Sequence, residues 1–439
     1  MKNYIILSAI ILVLTFSCTT EPEILENNLE FIGIDASCTE AWLNIKLSNQ
    51  NYSQKVIIKR DGEEIANYPA AAKDTIIVDT TLTESTDYNY TAIIYEGNEQ
   101  VAEKRVNITT KEPTSHNISW RTWEFGDYGS SRLRDVAIIN ENDIWAVGEI
   151  YLNDDEGNNI DTLYNALHWN GENWSKYRIE VRLTYEHVSV ITKLDPIKSV
   201  FSFEQNEVWF ASNAGGVSIA KTGDLELLNI PYGTGPGGAN AIWGDSNKNM
   251  FFTGNNGSLI HYNGQRWKKI ETGTDLPIND IYGSINPITG KTEVIAIASD
   301  LSIDRGKKIF LLNEDTVGEV SSEGLGWRLL GVWFNTGAKY YISGSSIKSK
   351  TNLSKGNWKN ENATEFVTFS IAGNELNDIY ACGSYGEVIH YNGISWNSSR
   401  SILGLDNNKI FYKVECEGNI VIAVGFNGRK ARIAMGIRN

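Results

Sequence analysis

A chain of 439 residues with 39 Gly, 20 Tyr and 13 Trp beside only 8 Pro and 3 Met is rich in aromatics and turn formers, which points to an all-β protein. Its net charge of −15, from 39 Lys and Arg against 54 Asp and Glu, excludes the basic footprint that phosphate-backbone binding requires. Nucleic acid is therefore not an expected partner, and no Lys/Arg cluster reverses that conclusion.

The first element is an export signal. Lys2 supplies the positive start, and residues 4–16 form an apolar run too short to span a bilayer. The run ends in Thr15-Phe16-Ser17-Cys18, which resembles a bacterial lipoprotein lipobox with a small residue before the cysteine. Leu14 stands one place further back than in the common pattern. The resemblance implies a signal at 1–18, lipidation of Cys18, a polar tether at 19–28, and a diacyl anchor holding the protein at a membrane without a spanning helix. Thr19, rather than Asp, after the cysteine favours the outer membrane or cell surface by the same resemblance; the alternative is a plain secretory signal cleaved nearby. Cys38, Cys382 and Cys416 remain. An odd number rules out a complete disulfide framework, and Cys382 and Cys416 read as buried free thiols in neighbouring repeats rather than as a bridge.

Residues 29–112 read as a first domain of short alternating strands at 42–47, 56–60, 75–78, 88–94 and 101–108, with Asp61-Gly62 as a hairpin turn. That spacing suits a β-sandwich. The stretch from Leu82 to Tyr90 (LTESTDYNY) resembles the entry to strand F of a fibronectin type III domain. The resemblance implies that the Tyr88 hydroxyl ties back to the backbone, with Leu43-x-Ile45-x-Leu47 standing where that family has a core tryptophan. Such a domain is expected to act as a spacer. Lys111 to Ser115, with Pro113, reads as the linker.

From 117 to 439 the chain repeats itself. The best copies are Asn142 to Trp174, Asn249 to Trp267 and Asn377 to Trp396, each containing a strand, a glycine, a second strand, an Asn-Gly turn and a tryptophan. The first of those strands recurs seven times, ending at Gly148, Ser212, Gly254, Ser299, Gly344, Gly383 and Gly425, at intervals of about 40 residues after one longer step, the period of propellers and solenoids. Four strands per unit predict a seven-bladed β-propeller. The seventh unit stops after three strands, while an orphan Trp-led strand at 118–125 precedes the first. That strand is expected to complete the last unit, closing the ring and covering a sheet edge.

No catalytic or phosphate-binding motif is present. His168, His261 and His390 occupy one repeat position, so they lie on different units and cannot converge on one metal; they read as structural. His116 and His187 stand alone in a linker and an insertion. Trp174, Trp267, Trp358 and Trp396 open the outer strands, and Trp243 and Trp333 sit on inner ones; all read as packing. The acidic loop 152–161 has oxygen ligands at a density suited to calcium, but its spacing is not that of an EF-hand, so a solvated hairpin tip is expected, with no cofactor and no metal. Loop 152–161, segment 181–196 and segment 231–238 should decorate one rim. At that rim Arg134, Lys198, Asn240 and Asn279 begin successive inner strands, followed by Leu330, Val367 and Tyr412, and are candidate ligand-binding residues. Asp135 and Asp280 are the carboxylates that an enzymatic alternative, a polysaccharide lyase or glycosidase, would use.

The repeat Asp-Ile-Trp/Tyr-Ala-x-Gly…His-Trp/Tyr-Asn-Gly-x-x-Trp resembles propeller lipoproteins of Bacteroidota-type bacteria and, more loosely, tectonin-like sugar-binding propellers. The resemblance covers 118–439 and concerns architecture. It implies a monomeric, lipid-anchored, non-catalytic surface protein whose propeller binds a glycan or protein; a third reading is an architectural subunit of an envelope complex.

Overall fold

The computed structural model describes residues 29–48, 51–127, 130–153, 156–185, 190–204, 207–221, 224–313, 316–404 and 408–439. The export signal, Cys18 and the tether lie outside these residues, as do His187, Asp154 and Asp155. Among the described residues no helix is long and apolar enough to cross a membrane.

The N-terminal unit is a sandwich of two antiparallel sheets. Its strands are β1 (Leu29–Ala36), β2 (Glu40–Leu47), β3 (Asn51–Arg60), β4 (Glu63–Ala70), β5 (Asp74–Thr80), β6 (Asp87–Glu96) and β7 (Glu99–Thr109). They pair in the orders β1-β2-β5 and β4-β3-β6-β7. Leu43, Ile45 and Leu47 of β2 face Val56 and Ile58 of β3 and Tyr90, Ala92 and Ile94 of β6 in one core, as period-2 alternation demands. The sheets are also tied by polar groups: Asp79 on β5 accepts both Arg60 Nη1 contacts at 2.9 and 3.0 Å and the Tyr90 hydroxyl at 2.8 Å. The Tyr88 hydroxyl accepts the Thr83 N–H at 2.9 Å, closing the corner before β6.

Among the described residues seven four-stranded antiparallel sheets follow. Their innermost strands are Arg132–Asn140, Ile197–Glu204, Ala239–Ser246, Ile278–Ile285, Leu329–Asn335, Thr368–Glu375 and Lys409–Glu417. Each packs against the innermost strand of the next sheet, and the seventh packs back against the first. The second strands are buried on both faces (Asp378–Gly383 throughout its length) because each sheet is covered by its two neighbours. The orphan strand β8 (Ile118–Phe125) supplies the outer strand of the seventh sheet, pairing with Lys430–Arg438 from Ile118↔Arg438 to Phe125↔Ala431. An insertion after the first sheet, expected as a loop at 181–196, is itself a hairpin of Glu180–Leu183 with Ile191–Leu194.

The sandwich is not held only by its linker. Alternation along β2 directs Trp42 away from the sandwich core, and this side chain is fully buried instead against the fifth and sixth sheets, in a cluster with Tyr341, Ile371, Leu376 and Ile379. Ile34, Ile76 and Val78 join it. A polar rim surrounds the contact. Lys339 Nζ meets Glu40 at 2.9 Å, and Lys111 Nζ bridges Asp35 at 3.2 Å and Glu375 at 2.9 Å. Asn335 donates to Asp35, Asn377 to the Glu112 carbonyl at 2.7 Å, and the buried Cys38 thiol to the Asn392 carbonyl at 3.6 Å. Cys38, Cys382 and Cys416 are all free thiols.

Deleting residues 117–126 would expose the edge of Lys430–Arg438 and open the ring. The melting temperature should fall by roughly 10 °C or more, taking about 2–4 °C per kcal/mol for a large domain; an unchanged scan overturns the clasp. Trp42→Ala should cost about 3–5 kcal/mol at the docking surface and make the 111–115 linker cleavable by protease, while far-ultraviolet circular dichroism keeps its β signature. A linker that stays protected shows that the contact does not hold the two units together.

Candidate functional site

The ends of the strands define two faces. Turns between first and second, and between third and fourth, strands lie on one face; the remaining loops lie on the other. Every sandwich contact with the seven-sheet unit named above falls on or near turns of the first kind, at Asn335–Lys339, Glu375–Asp378 and Asn392–Ser395. Among the described residues the sandwich leaves the opposite face open. It carries exposed apolar side chains around the rim: Tyr185 and Ile191 on the inserted hairpin, Tyr232, Leu301, Ile303, Tyr385 and Ile402. Four of these (Leu301, Ile303, Tyr385 and Ile402) belong to the fourth, sixth and seventh sheets, so the decoration extends beyond the three insertions the sequence drew attention to. Ile285 and Ile394 are exposed on the sandwich side.

At the open end of the central channel every innermost strand carries a β-bulge within its first four residues: Arg134, Lys198, Asn240, Asn279, Leu330, Phe369 and Tyr412 are skipped in the pairing with the second strand. A bulge re-aims its side chain, and these residues line a mouth of about 150 Å³. Phe369, not Val367, is thus the equivalent residue of the sixth sheet. All four residues expected at the site come together here, but with different roles. Asn279 Nδ2 donates to the Ser299 carbonyl at 2.9 Å and to the Leu329 carbonyl at 2.8 Å, so it fastens adjacent sheets. Asn240 Nδ2 donates to the Ile278 carbonyl at 3.1 Å, while its Oδ1 accepts Lys198 Nζ at 3.2 Å. Arg134 lies 4.9 Å over the Tyr412 ring and reaches Glu149 at 3.3 Å. Burial and the neighbouring Arg134 push the Lys198 ammonium below its usual range.

One residue deeper, the channel holds a buried charge cluster. Asp135 accepts the Ser199 hydroxyl at 2.7 Å and the Val200 N–H at 3.0 Å from the next sheet. Asp280 accepts the Val332 N–H of its next sheet at 3.0 Å. These carboxylates, the pair named for the enzymatic alternative, are hydrogen-bonded across adjacent sheets. Lys413 reaches Asp280 at 3.6 Å and Glu415 at 3.4 Å. Burial alone would depress the Lys413 ammonium, but Asp280, Glu415 and Asp135 outweigh it and raise it. Burial, reinforced by Asp135 and Asp280 against the pull of Lys413, brings Glu415 up to about 7. Below lies a cavity of about 420 Å³ reached by Trp243, Tyr282, Trp333 and Glu415. A Cβ at Gly283 would collide with the Trp243 ring, and one at Gly373 with Trp333, so both tryptophans are chiefly packed onto the neighbouring sheet.

The three equivalent histidines do one job. Each Nε2 meets the first residue of the second strand (Asp143 at 2.8 Å, Asn249 at 2.9 Å, Asp378 at 3.0 Å). Each ring stacks on that strand's aromatic, Trp145, Phe251 or Tyr380. His116 is not alone: its Nδ1 meets His390 Nδ1 at 2.9 Å and its Nε2 meets Ser395 at 3.2 Å, so it pins the linker to the sixth sheet. Among the described residues no group of three His, Cys, Asp or Glu is placed to hold a metal.

No family model and no curated protein matches the sequence. Solved structures do match the fold. YCF48 bound to D1 peptide is 15% identical with a TM-score of 0.53, covering 74% of this chain and 99% of that one. The WD40 β-propeller domain of Doa1 is 13% identical with a TM-score of 0.50, covering 73% and 97%. The ring of sheets is a β-propeller. At these identities the likeness concerns fold, and the propeller here is all-β and built of repeats, as its sequence periodicity indicates.

Glu415 is protonated in both folded and unfolded chains below about pH 4.5 and contributes fully there; that contribution is lost as pH rises through about 7. Glu415→Gln should therefore gain stability relative to the parent chain between pH 5 and pH 8, measured by chemical denaturation. A pH-independent difference contradicts the raised carboxyl.

Proposed function

We propose that this protein is a non-catalytic, lipid-anchored envelope adaptor: a fibronectin type III-like sandwich carries a seven-bladed propeller that binds a protein partner through its open face. The observation that carries this reading is the division of the two faces. One is occupied by the sandwich, on the side from which the chain arrives; the other presents exposed tyrosines and aliphatics around a polar mouth. Exposed aromatic side chains beside polar groups are a composition that protein interfaces favour. The sheet orders of three and four strands and the Tyr88 tie support the fibronectin type III-like assignment. The seven four-stranded sheets with contacting inner strands support seven blades. A propeller of the same fold, YCF48, is found bound to a peptide, which supports a protein in preference to a glycan as the ligand. Anchoring at Cys18 would put the sandwich between the membrane and the propeller and turn the open face outward, at the outer membrane or cell surface.

The test uses the chain expressed with its leader and immobilised against envelope extract. The parent chain should partition with membranes and Cys18→Ser should not. The parent should retain a protein that Tyr232→Ser/Leu301→Ser/Ile303→Ser loses by about tenfold or more, a normal effect of removing several anchor residues, whereas Ile285→Ser on the sandwich side retains it. Equal loss from both faces, or retention only of glycans on an array, overturns the reading.

A further inference from the structure

We infer that the mouth of the propeller channel is a receptor for a carboxylate: one acidic side chain presented by the protein partner inserts between Arg134 and Lys198. This rests on the open face being the binding face and specifies what that face recognises.

Donor accounting is the first ground. A guanidinium has five N–H donors and an ammonium three. Among the described residues Arg134 makes one hydrogen bond, to Glu149 at 3.3 Å, and Lys198 makes one, to Asn240 at 3.2 Å. Glu149 is itself held by Arg132 at 2.8 Å, so one carboxylate serves two arginines. Lys198 has no ion-pair partner there. The carboxylates facing the site from below are already committed. Asp135 accepts Val136 and Val200 N–H groups and the Ser199 hydroxyl, and Asp280 accepts Val332 and faces Lys413. Glu415 lies beyond, also against Lys413. Most donors of Arg134 and Lys198 are thus left over, in a protein whose net charge is −15.

Geometry is the second ground. The bulges place both cations, from adjacent sheets, at the mouth, and the amide of Asn240 fixes Lys198 there. The apolar lining is Tyr412, over which Arg134 lies, and Phe369, packed edge to face on it at 5.5 Å, with Leu330 and Leu301 also at the mouth. A cationic corner against an apolar wall suits a carboxylate on a methylene stem. The volume of about 150 Å³ is smaller than the 300–1,000 Å³ usual for free small ligands, which favours one inserted side chain over a sugar ring. The depressed Lys198 ammonium agrees: an anion would relieve its crowding by Arg134.

The full chain, with its lysines carrying ¹³C-methyl groups and the Lys198 signal assigned through Lys198→Arg, is titrated with N-acetylglutamate amide at low salt. A saturable shift of the Lys198 signal is expected, weakened about tenfold or more by Arg134→Ala, since a half-buried charge-assisted contact is lost, and suppressed by high salt. Glu149→Gln, which releases Arg134, should tighten binding. No saturable shift, or an equal one from N-acetylglutamine amide, overturns the inference. A stronger response to glucuronate or to acetyl-phosphoserine amide overturns it in favour of a sugar acid or a phosphopeptide. The envelope partner should also be lost from Arg134→Ala/Lys198→Ala, a variant checked for unchanged circular dichroism. Capture that survives this double change but not the apolar-rim changes overturns the carboxylate receptor and leaves the binding face standing. Glutamate binding with no partner captured supports the receptor and removes the partner-binding reading instead.

Discussion

The pairing of β8 with Lys430–Arg438 is the constraint on which the rest depends. Seven sheets in a ring have no free inner edge only if the ring is shut, and here it is shut by a strand that precedes all the others. The fourth strand of any such sheet starts on the face of the first-to-second turns. Ile118 opposite Arg438 therefore obliges the chain to enter β8 from that face. The linker must lie there, pinned by His116 on His390 and by Asn377 on the Glu112 carbonyl, and the sandwich must lie there too. Closure and docking are one topological decision, and the open face is its consequence.

Docking changes what the sandwich is. A spacer joined by a linker samples many orientations, whereas burial of an entire indole with aliphatics around it, inside a rim of ion pairs, makes one body. Lys339 illustrates the balance: its ammonium is almost wholly buried, and a buried charge is tolerable only because Glu40 reaches it from the other unit. The same logic runs through the channel. Asp135 and Asp280 survive burial because backbone N–H groups of the next sheet point at them, and Lys413 because three carboxylates surround it. Above that layer the bulges carry Arg134 and Lys198, whose donors are only partly used.

Much of this was legible in the chain. The repeat gave strand boundaries, and comparison between copies put His168, His261 and His390 at one position on three different sheets, where each meets the first residue of its second strand. Arg134, Lys198, Asn240 and Asn279 could be grouped for the same reason. Their separate roles could not: Asn279 and Lys198 look alike as polar residues, and only the carbonyls of Ser299 and Leu329 make one a fastener. Val367 stands two residues before Phe369, so an alternation of two does not tell them apart, and nothing in the local pattern marks which residue is skipped. Trp42 carried a signal that went unused, a tryptophan on the solvent side of an alternating strand. His116 carried none, because its partner is 274 residues away.

The sequence by itself determined the all-β class, the repeat, five of the sandwich strands and the strand that completes the last sheet, because these follow from periodicities of two and of about 40 residues that are local or self-similar. Tertiary structure alone decided which face the sandwich covers, which carboxylates are staples, and which two cations are left with donors to offer. Those outcomes depend on contacts between residues far apart in the chain and unlike one another, and no period records them.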